Sequence, residues 1–410
     1  MHVLIVGGGI GGLTTALALH ARRIACTVCE QAPELRELGV GINTLPHAIK
    51  ELAGLGLLDA LDGIGIRTSE LIYKTARGQA ILRQPRGIEA GFAFPQFSIH
   101  RGKLQRLLLD AVRARLGARS VLTGHRLSGF TQNRRGVDAV FESADGPVSI
   151  KADVMIGADG IHSAVRRRFR GAEGPPSWNG ILMWRGATWW PPFLSGSSMI
   201  IAGGMKAKVV LYPIFNSPER PGETLMNWVI CAKLGDGSTP IPGRDDWSRQ
   251  GTLKEVMAHV EGVFALAEVD LPALIAATPE NYVYPMCDRE PLRRWTRRRV
   301  TLLGDAAHPM YPVGSNGASQ AILDAVCLAD CLAAEPPSDA LHTYESIRRP
   351  ATTKIVRANR KGGPERVIDL VEKRAPLGFE TLDQVASEAT LKGIVGDYQS
   401  MAGFERAEAR

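Results

Sequence analysis

The sequence predicts an α/β fold: a Rossmann-like nucleotide-binding domain, a β-sheet domain inserted into it, and a C-terminal helical segment. Three observations lead there. Residues 1–30 alternate strand, glycine loop, helix and strand. Two distant strips, around Asp159 and Asp305, each close an apolar strand with a turn carrying glycine and aspartate. Between those strips lie aromatic-rich runs with the two-residue period of sheet. With 410 residues, 45% of them apolar, the chain can bury a large core.

The opening strand is Val3-Leu-Ile-Val6, and a helical apolar pattern covers Leu13 to Ala21. Between them, Gly7, Gly9 and Gly12 fit the pattern G-x-G-x-x-G. Gly7 lets the chain turn tightly out of the strand, Gly9 lets backbone approach a pyrophosphate, and Gly12 lets the helix pack on the sheet. The helix N-terminus offers free N–H groups and partial positive charge to phosphates. Glu30 closes the second strand at the roughly 20-residue spacing that places a carboxylate on a ribose diol. An acid there suits FAD or NAD better than NADP.

The second strip, Ala152 to Arg166, reads as a strand ending in Gly157, a turn at Ala158-Asp159-Gly160 and a helix from near Ser163. Gly157 and Gly160 let backbone come close to a ligand, and Asp159 is a candidate cofactor contact, though taken alone Asp-Gly is also an ordinary turn. The third strip follows a strand at Arg299–Leu303 that Gly304-Asp305 terminates. An aspartate at a strand's carboxyl end can reach a ribitol or ribose hydroxyl. Pro309 and Pro312 stiffen the loop beyond it, and Gly314 and Gly317 free its backbone. A helix starts around Ala318, its N-terminus suited to negative charge on a bound ring. This loop cradles a flat cofactor with backbone rather than with a catalytic side chain. His308 has no partner at metal-ligand spacing, so it reads as structural and no metal is expected.

The net charge of +7 favours anionic ligands. The clusters Arg166–Arg170 and Arg293–Arg299 read as solvated faces, with an anion-attracting groove as the alternative. Cys26 and Cys29 form C-x-x-C on a strand, where residues three apart face opposite ways, so they are not a metal or redox pair. Cys327 and Cys331 read as core residues of a helix. No basic leader precedes the first strand, and no apolar run reaches the roughly 18 residues of a membrane helix. A cytoplasmic protein without a stable membrane anchor or nucleic-acid partner is expected, as monomer or homodimer.

A substrate pocket is expected between the second and third strips. Trp184-Arg185-Gly186, Val209–Pro213 and Asn227–Ile230 read as strands with one face on the cofactor. Arg185 either holds a substrate carboxylate or makes a surface ion pair. Tyr212 and Trp228 are wall candidates or core aromatics, Trp184 is a further candidate, and Tyr284-Pro285-Met286 continues the wall.

The three strips, in this order, resemble the class A flavin-dependent aromatic monooxygenases, the group of para-hydroxybenzoate and salicylate hydroxylases. The stretches "ELGVGINTLPHAIKELAGLGLLDAL", "GADGIHSAVR" and "DAAHPMYPVGSNGASQAILDA" are similar to the phenazine hydroxylases acting on 5-methylphenazine-1-carboxylate. The likeness covers the chain to about Arg360. It implies a para-hydroxybenzoate hydroxylase-like fold with FAD, NAD(P)H as a transient reductant, O2, and a flavin hydroperoxide that hydroxylates a small aromatic substrate. It implies Glu30 on the adenosine ribose, Arg101 on the pyrophosphate and Asp305 on the ribitol. Val40, Gly41 and Asn43 then line the flavin ring, and the Gly317 and Ala318 amides face its N1–C2 edge. A backbone group of Leu122 holds adenine, and Pro312 stands beside the reacting oxygen. Ser319 departs from the asparagine that many relatives carry. The resemblance leaves decarboxylation, NADH against NADPH, and the exact substrate open. An FAD oxidase or dehydrogenase on the same scaffold, or a non-catalytic flavin- or pigment-binding protein, are the competing readings. Residues 1–70, 100–178 and 285–340 are assigned to the FAD domain, 71–99 and 179–284 to the substrate domain, and 341–410 to the helical segment.

Overall fold

The computed structural model describes residues 1–37, 39–171, 173–238 and 249–404, the side chain of Arg170 excepted. Leu38, within one of the family-like stretches, and residues 239–248 of the expected substrate domain lie outside the described residues.

The first sheet is parallel and five-stranded. Its order is Val300–Leu302, Val154–Gly157, His2–Val6, Ala25–Cys29, Val121–Leu122. Val3, Leu4, Ile5, Val154 and Ile156 are fully buried, because helices cover this sheet. Parallel pairing brings the carboxyl ends of strands from three distant parts of the sequence to one edge. Gly7, Ala158 and Leu303 thus become neighbours although 145 to 296 residues apart in the sequence: the Ala158 N–H donates to Val6 C=O and the Leu303 N–H to Gly157 C=O.

The second sheet has seven strands, in the order Asn281–Asp288, Ser177–Trp190, Thr224–Lys233, Ala207–Asn216, Ser198–Ala202, Glu70–Lys74, Ala80–Pro85. It is antiparallel except where Ser198–Ala202 meets Glu70–Lys74. The strand Asn281–Asp288 runs through the boundary expected at residue 285. Two three-stranded sheets complete the fold, Gly41–Thr44 with Gln96–His100 and Gly65–Thr68, and the hairpins of residues 126–152.

The helix Gly317–Ala334 corrects one sequence expectation. It is long and apolar enough to cross a membrane by length and composition. It is a core helix here, with Ile322, Ala325, Leu328 and Ala329 fully buried. Arg166 is a second correction. It is not on a solvated face but 1% exposed, pairing with Glu173 at 2.6 Å and donating to the carbonyls of Ala306 and Ala307 at 3.1 and 3.0 Å. That contact ties the second strip to the third. Arg167, Arg168, Arg293, Arg294, Arg297 and Arg298 are exposed.

The segment beyond Arg360 folds onto the second sheet. The helices Arg366–Arg374 and Glu388–Ala402 contribute Val367, Ile368, Val371, Leu391 and Val395 to one core with Leu71, Tyr73 and Ile201. Tyr398 anchors it. Its hydroxyl donates to Asn359 Oδ1 at 2.7 Å and accepts from Asn316 Nδ2 at 2.9 Å.

Candidate active site

A cavity of about 380 Å³ opens where the carboxyl edge of the parallel sheet faces the seven-stranded sheet. Its first wall is largely backbone: Gly9, Gly11, Ala158, Gly160, Gly304, Gly317 and Ala318 line it, with Asp305 and Arg101. The glycines divide by what a side chain would meet. At Gly12 an added Cβ collides with the Gly7 carbonyl oxygen, and at Gly7, with φ +111°, it collides with the Ala158 carbonyl. At Gly9, Gly160 and Gly317 it meets nothing within 4 Å. The first pair shapes the protein; the last three leave open space on the cavity side.

Gly317 begins an 18-residue helix, so the first-turn N–H groups of Gly317 and Ala318 have no partner within the helix and border the cavity. Asp305 is exposed to the cavity and walled by protein elsewhere. Burial raises its carboxyl pKa, against the pull of His308 and Arg101. No described residue donates a hydrogen bond to its carboxylate. This set fits a dinucleotide whose pyrophosphate passes Gly9, whose hydroxyls reach Asp305 and whose ring meets the helix N-terminus.

Other predicted cofactor contacts stand nearby. The Glu30 carboxylate accepts from Gly8 N–H at 2.7 Å and Ala32 N–H at 2.8 Å, outside the cavity lining and beside the glycine loop. Leu122 C=O accepts from Glu30 N–H at 2.8 Å, on the neighbouring strand. Asp159 is turned away: it accepts from Ser163 Oγ at 2.5 Å and from the amides of Ala164 and Val165, holding the helix start. Asn43 lines the cavity and accepts from Ser98 Oγ. Val40 lies buried behind the wall, its C=O bound to Arg101 N–H. Ser319 Oγ accepts from Leu45 N–H at 3.1 Å.

The second wall is side chains of one sheet face: Met183, Arg185, Val210, Tyr212, Val229, Cys231 and Met286. Arg185 Nη2 at 2.6 Å and Tyr212 Oη at 2.8 Å both donate to Gly41 C=O, while Gly41 N–H donates to Asn227 Oδ1 at 2.7 Å. The sheet face is thus latched to the strand Gly41–Thr44 at Gly41. Arg185 Nε is buried without a hydrogen-bond partner, and no described acid pairs with Arg185.

Trp184, Trp228 and Pro285 do not line the cavity. Consecutive strand residues point to opposite faces, so Trp184 cannot share a face with Arg185. Trp184 packs on His259, with ring centroids 4.9 Å apart, and Trp228 donates to Thr278 Oγ1 at 2.8 Å; both lie in the core behind the sheet. Pro285 is registered against Leu182, whereas Tyr284 is registered against the cavity-facing Met183. Strand alternation, applied from Arg185, points to Met183, Val229 and Met286 instead.

Pro312 lines the cavity with Met310, Tyr311 and Asn316, all on the loop between the two walls. Beneath it, His308 Nε2 lies 2.5 Å from Asp324, which also pairs with Arg348 at 2.7 Å. Burial would raise the Asp324 carboxyl, but His308 and Arg348 outweigh it and hold it at about 2. Among the described residues no cluster fits a metal ion. The cysteines are free; burial pushes the Cys26, Cys29 and Cys327 thiols up to about 12, away from nucleophilic or redox use. Lys208 and Glu365, also on the wall, carried no sequence signal.

The sequence matches the FAD binding domain family over residues 1–359. The chain is 46% identical over 364 residues to the phenazine 1,6-dicarboxylic acid hydroxylase PhzS of Lysobacter antibioticus, covering 87% of this chain and 89% of the relative. It is 30% identical over 366 residues to a 3-hydroxybenzoate 6-hydroxylase of Aquipseudomonas alcaligenes, covering 86% of each. Among solved structures, a single-residue variant of Klebsiella pneumoniae HpxO complexed with FAD superposes with a TM-score of 0.72 at 25% identity, over 98% of this chain and 94% of that one. A salicylate hydroxylase substrate complex superposes with a TM-score of 0.73 at 22% identity, over 99% of each, and shares the fold. The cradle of strand ends, the cavity and these likenesses converge: the chain belongs to the FAD-binding-domain family of flavin-dependent aromatic hydroxylases.

Proposed function

We propose that this FAD-dependent aromatic monooxygenase hydroxylates a flat, fused-ring aromatic acid of the phenazine type. The observation that carries the substrate class is Arg185, a cation without a described acidic partner on an otherwise largely apolar wall. A carboxylate placed there gains a charge-assisted hydrogen bond from an arginine already fixed by Gly41 C=O. Met183, Val210, Val229 and Met286 supply the flat apolar surface for the rings. The name of the 46% identical relative supports the phenazine class.

When bound, FAD supplies the oxygen-transfer chemistry, drawing electrons from NAD(P)H and oxygen from O2. The residues do the rest. Gly9 and Arg101 receive the pyrophosphate, Asp305 accepts hydroxyl hydrogen bonds, and the Gly317 and Ala318 amides stabilise negative charge on the ring edge. Pro312 stiffens the loop that aims the substrate, and the apolar sheet face excludes water. Glu30 and Leu122 hold the adenosine end. In this reading the protein works in the cytoplasm without a membrane anchor, Gly317–Ala334 being a core helix.

The test is NADH and NADPH consumption against phenazine, quinoline and salicylate-type acids, with product masses. Stimulated consumption and a product that has gained one oxygen, or has exchanged its carboxyl for a hydroxyl, supports the reading. Stimulation by none of the acids, or release of all reducing equivalents as hydrogen peroxide, contradicts it.

A further inference from the structure

Lys208 and Glu365 form an ion pair inside the cavity wall that the oxygen-transfer chemistry does not use. Lys208 belongs to the strand Ala207–Asn216 and Glu365 to the short turn Gly363–Glu365. Their side chains are 3% and 5% exposed. The Lys208 ammonium donates to one Glu365 oxygen, and the other oxygen lies 3.5 Å from the Gly314 N–H of the proline-glycine loop. Asp369 adds negative charge near Lys208. A buried ion pair stabilises a fold no better than apolar packing of the same shape, so stability is a weak reason for it.

Its position gives a better one. Lys208 is registered opposite Cys231, and Cys231 opposite Met183, two residues from Arg185. Two strand spacings and two residue rises put the Cα atoms of Lys208 and Arg185 roughly 12 Å apart on one face. A fused three-ring aromatic anchored by a carboxylate at Arg185 and laid along this line would bring its far end to Lys208 and Glu365. The two cations differ in one respect: Arg185 has no acidic partner among the described residues, and Lys208 is already neutralised.

We infer that the Lys208–Glu365 pair is the charge filter of the cavity: Glu365 occupies the cation that a second carboxylate would need, so aromatic monoacids bind in preference to diacids. This inference rests on the aromatic-acid reading above. A diacid has to displace Glu365 or sit beside it, and like charges side by side in a water-excluded site repel strongly. A monoacid presents only apolar ring at that end and leaves the pair intact.

The experiment is equilibrium titration of the FAD-loaded protein, by calorimetry and by the flavin absorbance change. The ligands are phenazine-1,6-dicarboxylate, its mono-methyl ester and phenazine-1-carboxylate. In the wild type the half-ester, larger by one methyl group but with one charge masked, is expected to bind at least about tenfold more tightly than the diacid. In Glu365→Gln the diacid is expected to gain at least about tenfold relative to the monoacid as Lys208 becomes available. Equal binding of diacid and half-ester to the wild type overturns the filter, even if the variant does not fold. An unchanged diacid-to-monoacid ratio in folded Glu365→Gln overturns it as well, while the aromatic-acid reading stands. Binding of none of the three overturns that reading and the filter with it.

Discussion

On one side of the cavity the chain presents backbone; on the other it presents side chains. The strand ends offer Gly9, Gly160, Gly317 and a helix N-terminus, so their chemistry is amide dipoles and open space. The sheet face offers Met183, Arg185, Val229 and Met286, whose chemistry is apolar area and one cation without an acidic partner among the described residues, Lys208 being paired with Glu365. Backbone recognition requires particular residues at particular places, because only glycine leaves the space. Side-chain recognition requires only that alternate strand positions be apolar and of suitable size. A cofactor common to a family suits the first kind of wall, and a substrate that differs between relatives suits the second.

The sharpest way to break this comparison is within the first wall. Gly12→Val puts side-chain atoms into the Gly7 carbonyl and is expected to cost more than about 4 kcal/mol of stability, seen as insoluble protein or a lost thermal transition. At Gly9 an added Cβ meets no protein atom within 4 Å, so Gly9→Val directs its side chain into open space. It should leave the melting temperature of FAD-free protein within about 2 °C of wild type while weakening FAD by about a hundredfold in fluorescence titration. Equal destabilisation by the two variants would erase the division between shaping and open glycines.

The next effect concerns what holds the loop between the walls. Asp324→Asn leaves buried His308 and partly buried Arg348 without their carboxylate and should cost about 3–5 kcal/mol in denaturant unfolding near neutral pH. The Asp324 carboxyl is held at about 2, below its ordinary 3.8. A carboxyl lowered by folding stabilises above its unfolded pKa and loses that contribution as pH falls through the folded one. The gap between wild type and variant should therefore be full above about pH 5 and close towards pH 2. A gap independent of pH would contradict the ion-pair account.

Tyr398→Phe tests whether the C-terminal segment belongs to the site. It removes the hydroxyl shared by Asn316 and Asn359 and should cost about 1–3 kcal/mol. Because Asn316 precedes the helix whose first residues border the cavity, the hydrogen peroxide released per NADH oxidised should rise as well. An unchanged peroxide yield would leave Tyr398 as packing alone.

The smallest effects sharpen the second wall. Trp228→Phe should lower stability by about 1–3 kcal/mol and leave substrate KM within about twofold. Val229→Phe, one residue on and facing the cavity, should raise KM about tenfold with little change in stability. The reverse pattern would mean that the sheet presents its other face to the substrate.

The same contrast explains what was legible in the sequence. The parallel sheet and its three strips could be read because Gly7, Gly12 and the Gly304-Asp305 turn are local requirements that leave a fixed spacing in the chain. The seven-stranded sheet could be read only as strands. Choosing Trp184 together with Arg185 set aromatic size above alternation, and the register against Val283 and Ile230 puts the tryptophan behind the sheet. The inward side of Tyr212 follows from the same alternation, but its bond to Gly41 joins residues far apart in sequence and leaves no local trace. Lys208 and Glu365 were hidden for that reason too: each is an ordinary charged residue until the fold brings them together. Arg166 looked like one of a solvated cluster because an arginine run carries no mark of which member turns inward.

The central claim is that FAD lies along the backbone wall and the aromatic acid against the sheet face, with its carboxylate on Arg185. A crystal structure of the FAD-loaded protein with phenazine-1-carboxylate tests it most directly. The account predicts the flavin ring edge at the Gly317 and Ala318 amides and the carboxylate within hydrogen-bond distance of the Arg185 guanidinium. A ring bound away from that helix N-terminus, or a carboxylate turned from Arg185 into solvent, would contradict it.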